Sequence, residues 1–566
     1  MTATNSQTPS LHELSTDAHL DAILRCWTRE QRIHIGTDGL RVTIPGTEQI
    51  LTAKCTHLSR TGLHSFEAVE LIDVNGGTRS LSPEDLLDLV TEGSDENERR
   101  QLRLRTRESV ENVARFAAEN RMTTPDQPLF LAGERSLLLG HLMHPAPKSR
   151  DQLASDELEA YSPELTGRFC LHWFEAHRSV VTHDNARTSA ALDGMDTPGL
   201  LEQIAGATAA AGHVLIPAHP WQARDLTRRP AVRRLVDAGL LRPLGPLGDE
   251  WHATSSLRTV FHPHFPVMLK LSLGLRLTNS VRESTATELR RGVEVHHLVD
   301  SGYLGSPNPD FTIVKDPAWM AVTDSEDPTG GTLTGLDVAV REVPQGIDRY
   351  ICLAGLIAAS RPAEGHRWGP SHLSRWVQDP TSWLASYVDN VLVPMVHLYS
   401  STGVGLEGHQ QNTLVRLDDE GRVTGGGYRD NQGYYLATSH LPDVLEQTGR
   451  SHSTLAVVDD RTVDDRLTYY LLHNQALSLV GAMAAQSMAD EGVLLGMLRD
   501  RLVAALPLLT EAGPDGDRLV RRWLEAETLP CKANLATRLH GIDEVVAPLD
   551  AQSIYIDVPN PLAVVR

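Results

Sequence analysis

TSSLRTVFHPHFPVMLKLSLGLRLTNSVRES, residues 254 to 284, is the stretch on which the fold turns. From Leu269 to Thr278 its residues alternate, and strand side chains alternate faces with period two. Leu269, Leu271, Leu273, Leu275 and Leu277 therefore share one face, and Lys270, Ser272, Gly274, Arg276 and Thr278 share the other. The pattern predicts one continuous strand, anchored by leucine, whose polar face carries two cations. Ser256 and Arg258 sit two apart on a partner strand just upstream, followed by Thr259, and Arg282 follows downstream. Three arginines and a lysine so close together repel one another unless an anion lies among them, and a polyphosphate is the natural candidate. The other reading is a solvated strand face whose cations pair with acids elsewhere in the chain.

Around this stretch the chain has 566 residues, more than one core normally holds, so two to four subdomains are expected. Its 52 basic residues face 73 acidic ones, a formal charge of −21. That balance opposes binding to nucleic acid or to an anionic membrane and favours small-molecule partners. The opening MTATNSQTPS has no basic run before an apolar one, and no apolar stretch approaches the roughly 20 residues that span a bilayer. A soluble, cytoplasmic protein is expected. Cys26, Cys55, Cys170, Cys352 and Cys531 are scattered without a close pair, which suggests neither a disulfide framework nor a zinc or iron-sulfur site.

Upstream, Leu11 to Arg29 reads as a helix, Arg32 to Gly77 as strands and hairpins, and Pro83 to Glu119 as charged helix. GHLMHPAPKSR, from Gly140, packs His141, His144, Lys148 and Arg150 among prolines that forbid a long helix. It reads as a rigid array of donors for carboxylate or phosphate, and only weakly as a metal site. After a helical passage from Thr197 to Ala211, HVLIPAHPWQ reads as a buried strand ending at His219. That histidine is packed and hydrogen-bonded, or less often a direct participant.

Downstream, the Pro- and Gly-rich region from Ser301 to Pro344 reads as a connection between subdomains. Thr381 to Ser400 has helical spacing, so GVGLEG at 403 to 408 follows a helix and precedes a strand, the reverse of a dinucleotide fingerprint. EGHQQN then supplies Glu407, His409, Gln411 and Asn412, and the hairpin LDDEGRVTGGG returns the chain to Arg429 and Asp430. Carboxylate and amide oxygens gathered there suit magnesium, a hard cation, better than iron; alternatively EGHQQN is a polar turn satisfying backbone groups. Asp465 to Leu509 reads as amphipathic helix, and LPCKANLATRLHG places Lys532 and Arg538 at the surface or in a cleft.

SSLRTV, a lysine on an alternating strand, TNSVRES, EGHQQN and YRD occur in an order and spacing that resembles the NRPS-independent siderophore (NIS) synthetases of the aerobactin synthetase (IucA/IucC) type. GHxxHPxxKSR, HPWQ and KANLATRL extend the likeness over roughly residues 134 to 541. The resemblance implies an α+β, cupped-hand fold with mixed and antiparallel sheets and flanking helices. Its three subdomains would be a thumb at 1–139, fingers at 140–340 and a palm at 341–566. It also implies a homodimer using ATP and magnesium to adenylate a carboxylate, citrate or a dicarboxylic half-amide, for capture by an amine, hydroxylamine or alcohol. Leu142 and Met143 replace a Pro-Tyr pair found in members with other acyl donors, which leaves the acid open.

Carried over by position, Ser256, Arg258, Thr259, Lys270, Arg282, His409, Gln411, Asn412 and Asp430 would bind ATP. Arg258, Lys270, Arg282 and His409 would be catalytic, His144, Lys148 and Arg276 would meet the acid, and Glu407 with Asp430 would hold magnesium. Fixed cations suit the charge that builds on the phosphates, with arginine contacting them bidentately and lysine as a point charge. His409 would either donate to a phosphate oxygen or help deprotonate the amine. Two other classes compete: a non-catalytic binder of citrate or a ferric chelate, and a ligase forming an acyl phosphate. A reductase related to this family would carry a cysteine cluster near the C-terminus, where this chain has Cys531.

Overall fold

A computed structural model of the chain describes residues 9–120, 127–151, 153–186, 189–192, 194–277, 280–323, 332–362, 368–542 and 552–563. The architecture is α+β, with helices flanking antiparallel and mixed sheets. Near the N-terminus the helix Leu11–Glu30 is started by a reciprocal cap, Ser10 accepting from the Glu13 amide while the Glu13 carboxylate accepts from the Ser10 amide. It packs against the helix Glu96–Glu119. A four-stranded antiparallel sheet, Leu40–Thr43, Ile50–His57, Ser65–Ile72 and Thr78–Ser80, shares its core, which includes Ile23, Trp27, Leu51 and Phe66.

The centre is an eight-stranded sheet, antiparallel at every pairing. Its order is Val181–Asn185, Ala318–Thr323, Leu333–Glu342, Val267–Leu271, Thr259–Phe261, Leu241–Ala253, Arg168–His177 and His213–Ala218. All five residues of Val267–Leu271 are buried. Val267, Leu269 and Leu271 enter one core, while Met268 packs with Phe130 and Phe261 on the opposite face, the face of Lys270.

The long strand expected from Leu269 to Thr278 is broken at Ser272, and Thr278 and Asn279 lie outside the described residues. The Ser272 hydroxyl donates to Asp337 (2.6 Å) and accepts from the Ser284 amide (2.8 Å), and the Gly274 amide donates to Gln222 (2.7 Å). These side-chain bonds replace the sheet ladder, which ends at Leu271 opposite Val338. Leu273–Leu277 pairs instead with Ser280–Arg282, through a register shift between Leu273 and Arg276.

The region from Ser301 to Pro344 is not a connection. It supplies Phe311–Val314, Ala318–Thr323 and Leu333–Glu342, and Met320, Val322, Leu336, Val338 and Val340 are fully buried. The glycines and prolines that suggested a linker flank strands whose apolar residues outweigh them.

The C-terminal half holds the largest core, built on Tyr387, Tyr399, Leu471 and Trp523 among others. The helix expected over Thr381 to Ser400 is present as Pro380–Tyr387 and Val393–Thr402, joined by a wide π-helical segment, Val388–Leu392, just before Pro394. A second such segment, Thr468–Leu477, interrupts the helical run from Asp460 to Ala485. Among the described residues no helix is long and apolar enough to cross a membrane.

Candidate active site

Arg258 enters the site because the turn before it is forced. Leu257 adopts φ +61°, a left-handed conformation that a bulky residue rarely takes. It is held there by burial against Leu273, Leu275 and Leu277. The Ser256 hydroxyl accepts from the Thr259 amide (3.0 Å) and the Thr254 hydroxyl donates to the Thr259 carbonyl (2.7 Å). The alternating leucines thus fix a strained turn as well as a strand.

That turn forms one wall of a cavity of about 310 Å³. Eight cationic side chains line it: Lys148, Arg150, Arg258, Lys270, Arg282, Arg341, Arg429 and Lys532. Two carboxylates, Glu407 and Asp430, face them. Ser256, Thr259, His144, His409, Gln411 and Asn412 also line it, so twelve of the thirteen residues singled out from the sequence converge here. Arg276 does not. Its amide donates to Asp151 (3.0 Å) and its carbonyl accepts from Arg105 (3.1 Å), because the register shift turns this segment out of the sheet.

The charges are arranged in layers. Lys270 pairs with Asp430 at 2.8 Å and also donates to the Asn431 side chain. Arg341, gripped by both carboxylate oxygens of Asp316 (2.7 and 3.0 Å), stands 3.9 Å from Asp430. Burial alone would raise the pKa of Asp430, but Lys270 and Arg341 more than offset it and hold the carboxyl well below its usual range. Burial pushes Lys270 down to about 8 despite its partner, and pushes the His409 imidazole down to about 4. His409 is therefore neutral near pH 7. Desolvation and the nearby Asp430 raise the pKa of the half-buried Glu407, while the Tyr435 hydroxyl donates to it at 3.0 Å.

Lys148 does not stand ready for an incoming acid alone. It pairs with Glu164, a fully buried carboxylate that also takes Arg150 at 2.9 Å, and burial lowers Lys148 to about 8. His144 is fixed by the Ala146 amide donating to its Nδ1 (3.1 Å). His219 lies in the packed alternative, edge-on to Tyr161 and Phe169 with the Trp221 amide donating to it. Of the two late cations, Lys532 lines the cavity, whereas Arg538 pairs with Glu98 at 2.6 Å.

EGHQQN and YRD meet as the hairpin Thr413–Leu417 with Val423–Arg429 required, the Arg429 amide donating to the Asn412 carbonyl (2.9 Å). Gln411 then donates to the Ser255 hydroxyl (2.9 Å), tying the hairpin to the arginine turn. Glu134 completes the tie. Fully buried, it accepts from the Ser255 amide and pairs with Arg429, both at 2.7 Å. The sequence reading passed over Glu134, Arg341, Gln410, Tyr469, Tyr470 and Asn474. An acid within a short apolar helix, LFLAGER, was the available signal for Glu134. The two tyrosines and Asn474 reach the cavity through the π-helical segment, whose wider turn no local pattern announces.

The IucA / IucC family model matches residues 129–358, and a model described as a ferric iron reductase FhuF-like transporter matches residues 381–546. The rhizobactin siderophore biosynthesis protein RhbC of Rhizobium meliloti (strain 1021) is 33% identical, over 96% of this chain and 97% of its own. A spermidine-citrate ligase of Bacillus anthracis is 34% identical over 82% and 79%. Among solved structures, ATP-bound aerobactin synthetase IucA from a hypervirulent pathotype of Klebsiella pneumoniae superposes with TM-score 0.79 at 24% identity, covering 96% of this chain and 99% of that one. These relatives mark the chain as a ligase of siderophore biosynthesis. The chain belongs to the IucA/IucC family.

Proposed function

We propose that the enzyme adenylates an organic carboxylate, citrate or a related polycarboxylate, and joins it to an amine. One observation carries this reading: eight cationic side chains against two carboxylates around a single cavity. Lys148 and Arg150 pair with Glu164, Arg341 with Asp316, Arg429 with Glu134 and Lys270 with Asp430, so with Glu407 the eight cations meet five acids in all, and the positive surplus that remains suits a polyanion, which ATP together with a carboxylate supplies. The acid's oxygen attacks the α-phosphorus, the new O–P bond forms, and the bond to the departing pyrophosphate breaks. Arg258 and Lys270 stabilise the charge that builds on the phosphate oxygens, already in position before reaction. His409, neutral near pH 7, holds a hydrogen bond to phosphate or takes a proton from the amine.

Glu407 and Asp430 fit a magnesium ion in donor chemistry, since both are carboxylates facing the cavity and the proximity of Asp430 helps raise Glu407. When bound there, the ion would neutralise phosphate charge. Lys270 occupies part of that role already through Asp430. A relative named as a spermidine-citrate ligase and a fold neighbour solved with ATP support both the substrates and the nucleotide. A thumb, fingers and palm at 1–139, 140–340 and 341–566, and a cytoplasmic homodimer, complete the proposal. Three large cores support the division in outline, although the C-terminal one reaches back to Val295 and the N-terminal one takes in Met143, Ala146 and Leu535, and light scattering tests the dimer.

The deciding experiment is pyrophosphate release and hydroxylamine trapping across citrate, succinate, 2-oxoglutarate and succinyl half-amides, with and without a magnesium chelator. Turnover with one acid, giving AMP and pyrophosphate and abolished by chelation, is expected. ADP as product would mean an acyl phosphate, and chelate binding without any nucleotide turnover would mean a carrier.

A further inference from the structure

A second cavity of about 460 Å³ backs onto the first. The two share Gly140, His141, Pro147, Ala354 and Gln410 as a common wall. The second is lined mainly by apolar groups, Leu63, Leu139, Leu142, Ile357 and Ala482 among them, with a small polar end at Asp21, Arg25, Thr56 and Ser65. Its charged lining is balanced: Asp21 pairs with Arg25, and burial lowers the pKa values of His19 and His57.

We infer that this second cavity holds the amine acceptor, an aliphatic amine with a polar far end, and that it delivers the amine past His141. The inference rests on the adenylating function proposed above. A cavity of about 310 Å³ ringed by cations suits the nucleotide and the acid, and it repels a protonated amine. The adjoining cavity exerts no such repulsion, and its apolar wall accepts an alkyl chain.

The shared wall is suited to opening at one residue. His141 is exposed, yet burial pushes its imidazole down to about 4, because the surface it shows faces the cavities. Asn474 takes the Gln410 amide on its oxygen (3.0 Å), which leaves its NH2 group 2.9 Å from His141 Nε2. The Met143 amide approaches Nδ1 at 3.1 Å. A neutral imidazole has one unprotonated nitrogen, so it satisfies one of these two donors and no more. Displacing the ring therefore breaks one hydrogen bond to its nitrogens rather than two. The amine loses one proton, to His409 or to solvent, its lone pair attacks the acyl carbon, and the C–N bond forms as the C–O bond to AMP breaks. AMP leaves with that electron pair, and a second proton passes from nitrogen to solvent.

The test fills the second cavity and reads the two half-reactions separately. Ala482→Phe, and Ala18→Phe at the half-buried rim, are assayed for acid-dependent ATP–pyrophosphate exchange and for hydroxamate formation from hydroxylamine, which is small enough to need no pocket. Both rates stay within about twofold of wild type, since the sites are separate. Amide formation from spermidine, 1,3-diaminopropane and 1,5-diaminopentane weakens by about tenfold or more in KM. Should Ala482→Phe lose exchange through misfolding, Ala18→Phe decides. Unchanged use of all three amines in a variant that exchanges normally overturns the inference, as does equal loss of both half-reactions in Ala18→Phe. A wild-type enzyme without exchange for any acid would instead overturn the adenylating function itself.

Discussion

The ammonium of Lys270 lies 2.8 Å from a carboxylate oxygen of Asp430, 160 residues further along the chain. One belongs to the central sheet and the other ends the hairpin after EGHQQN, so the pair joins the two halves of the cavity wall. Both side chains are largely withdrawn from water, which makes their protonation states consequential.

Lys270 and Lys148 both lose their charge as pH rises through about 8. The KM for ATP should therefore climb above pH 8, less steeply in Lys270→Met than in wild type. Stability moves the other way. Between about 8 and the ordinary value of 10.5 the folded Lys270 binds fewer protons than the unfolded one, so its contribution to stability rises with pH in that window. Kinetics paired with denaturant melts from pH 7 to 10 would separate the two; a flat KM across pH 8 contradicts the assignment.

Arg258→Ala should lower turnover by about 10² to 10³ at saturating ATP, as loss of one preorganised donor does. Arg258→Lys should recover little of it, since a point charge does not replace a planar fork. Wild-type turnover in the alanine variant would exclude this face from the reaction.

Glu164→Gln leaves Lys148 and Arg150 buried without their shared counter-charge. A loss of about 3–5 kcal/mol in unfolding free energy is expected, measured by urea titration at pH 7. A loss below about 1 kcal/mol, the size of a solvated pair, would show that the two cations find another partner.

Gly433 lies where a Cβ would collide with the Cβ of Glu407 and come within 3.0 Å of the Tyr428 hydroxyl. Gly433→Ala should displace Glu407 while the protein stays folded, raising the magnesium concentration needed for half-maximal turnover by about tenfold. An unchanged magnesium dependence would separate Glu407 from the metal.

Much of the site was legible because its residues come in short polar runs bounded by apolar ones. EGHQQN, YRD and SSLR each occupy a strand end or turn, and the hairpin that returns Arg429 to Asn412 follows from LDDEGRVTGGG alone. Arg276 misled for the opposite reason. Its alternation with leucine is real, and Leu273, Leu275 and Leu277 are buried as expected, but they pack on Leu257 rather than continuing the sheet. The strands after Ser301 were hidden by flanking glycine and proline, which mark strand ends as readily as linkers.

By itself the sequence determined which residues are apolar in alternation, where the chain turns, and which polar groups stand together locally, because these depend on neighbours within a few positions. The tertiary structure alone decided that Ser272 ends the strand, that Glu164 neutralises Lys148, and that Glu134 ties Ser255 to Arg429. Each of those choices pairs groups distant in sequence, and a buried charge or hydroxyl takes whichever partner packing brings within reach.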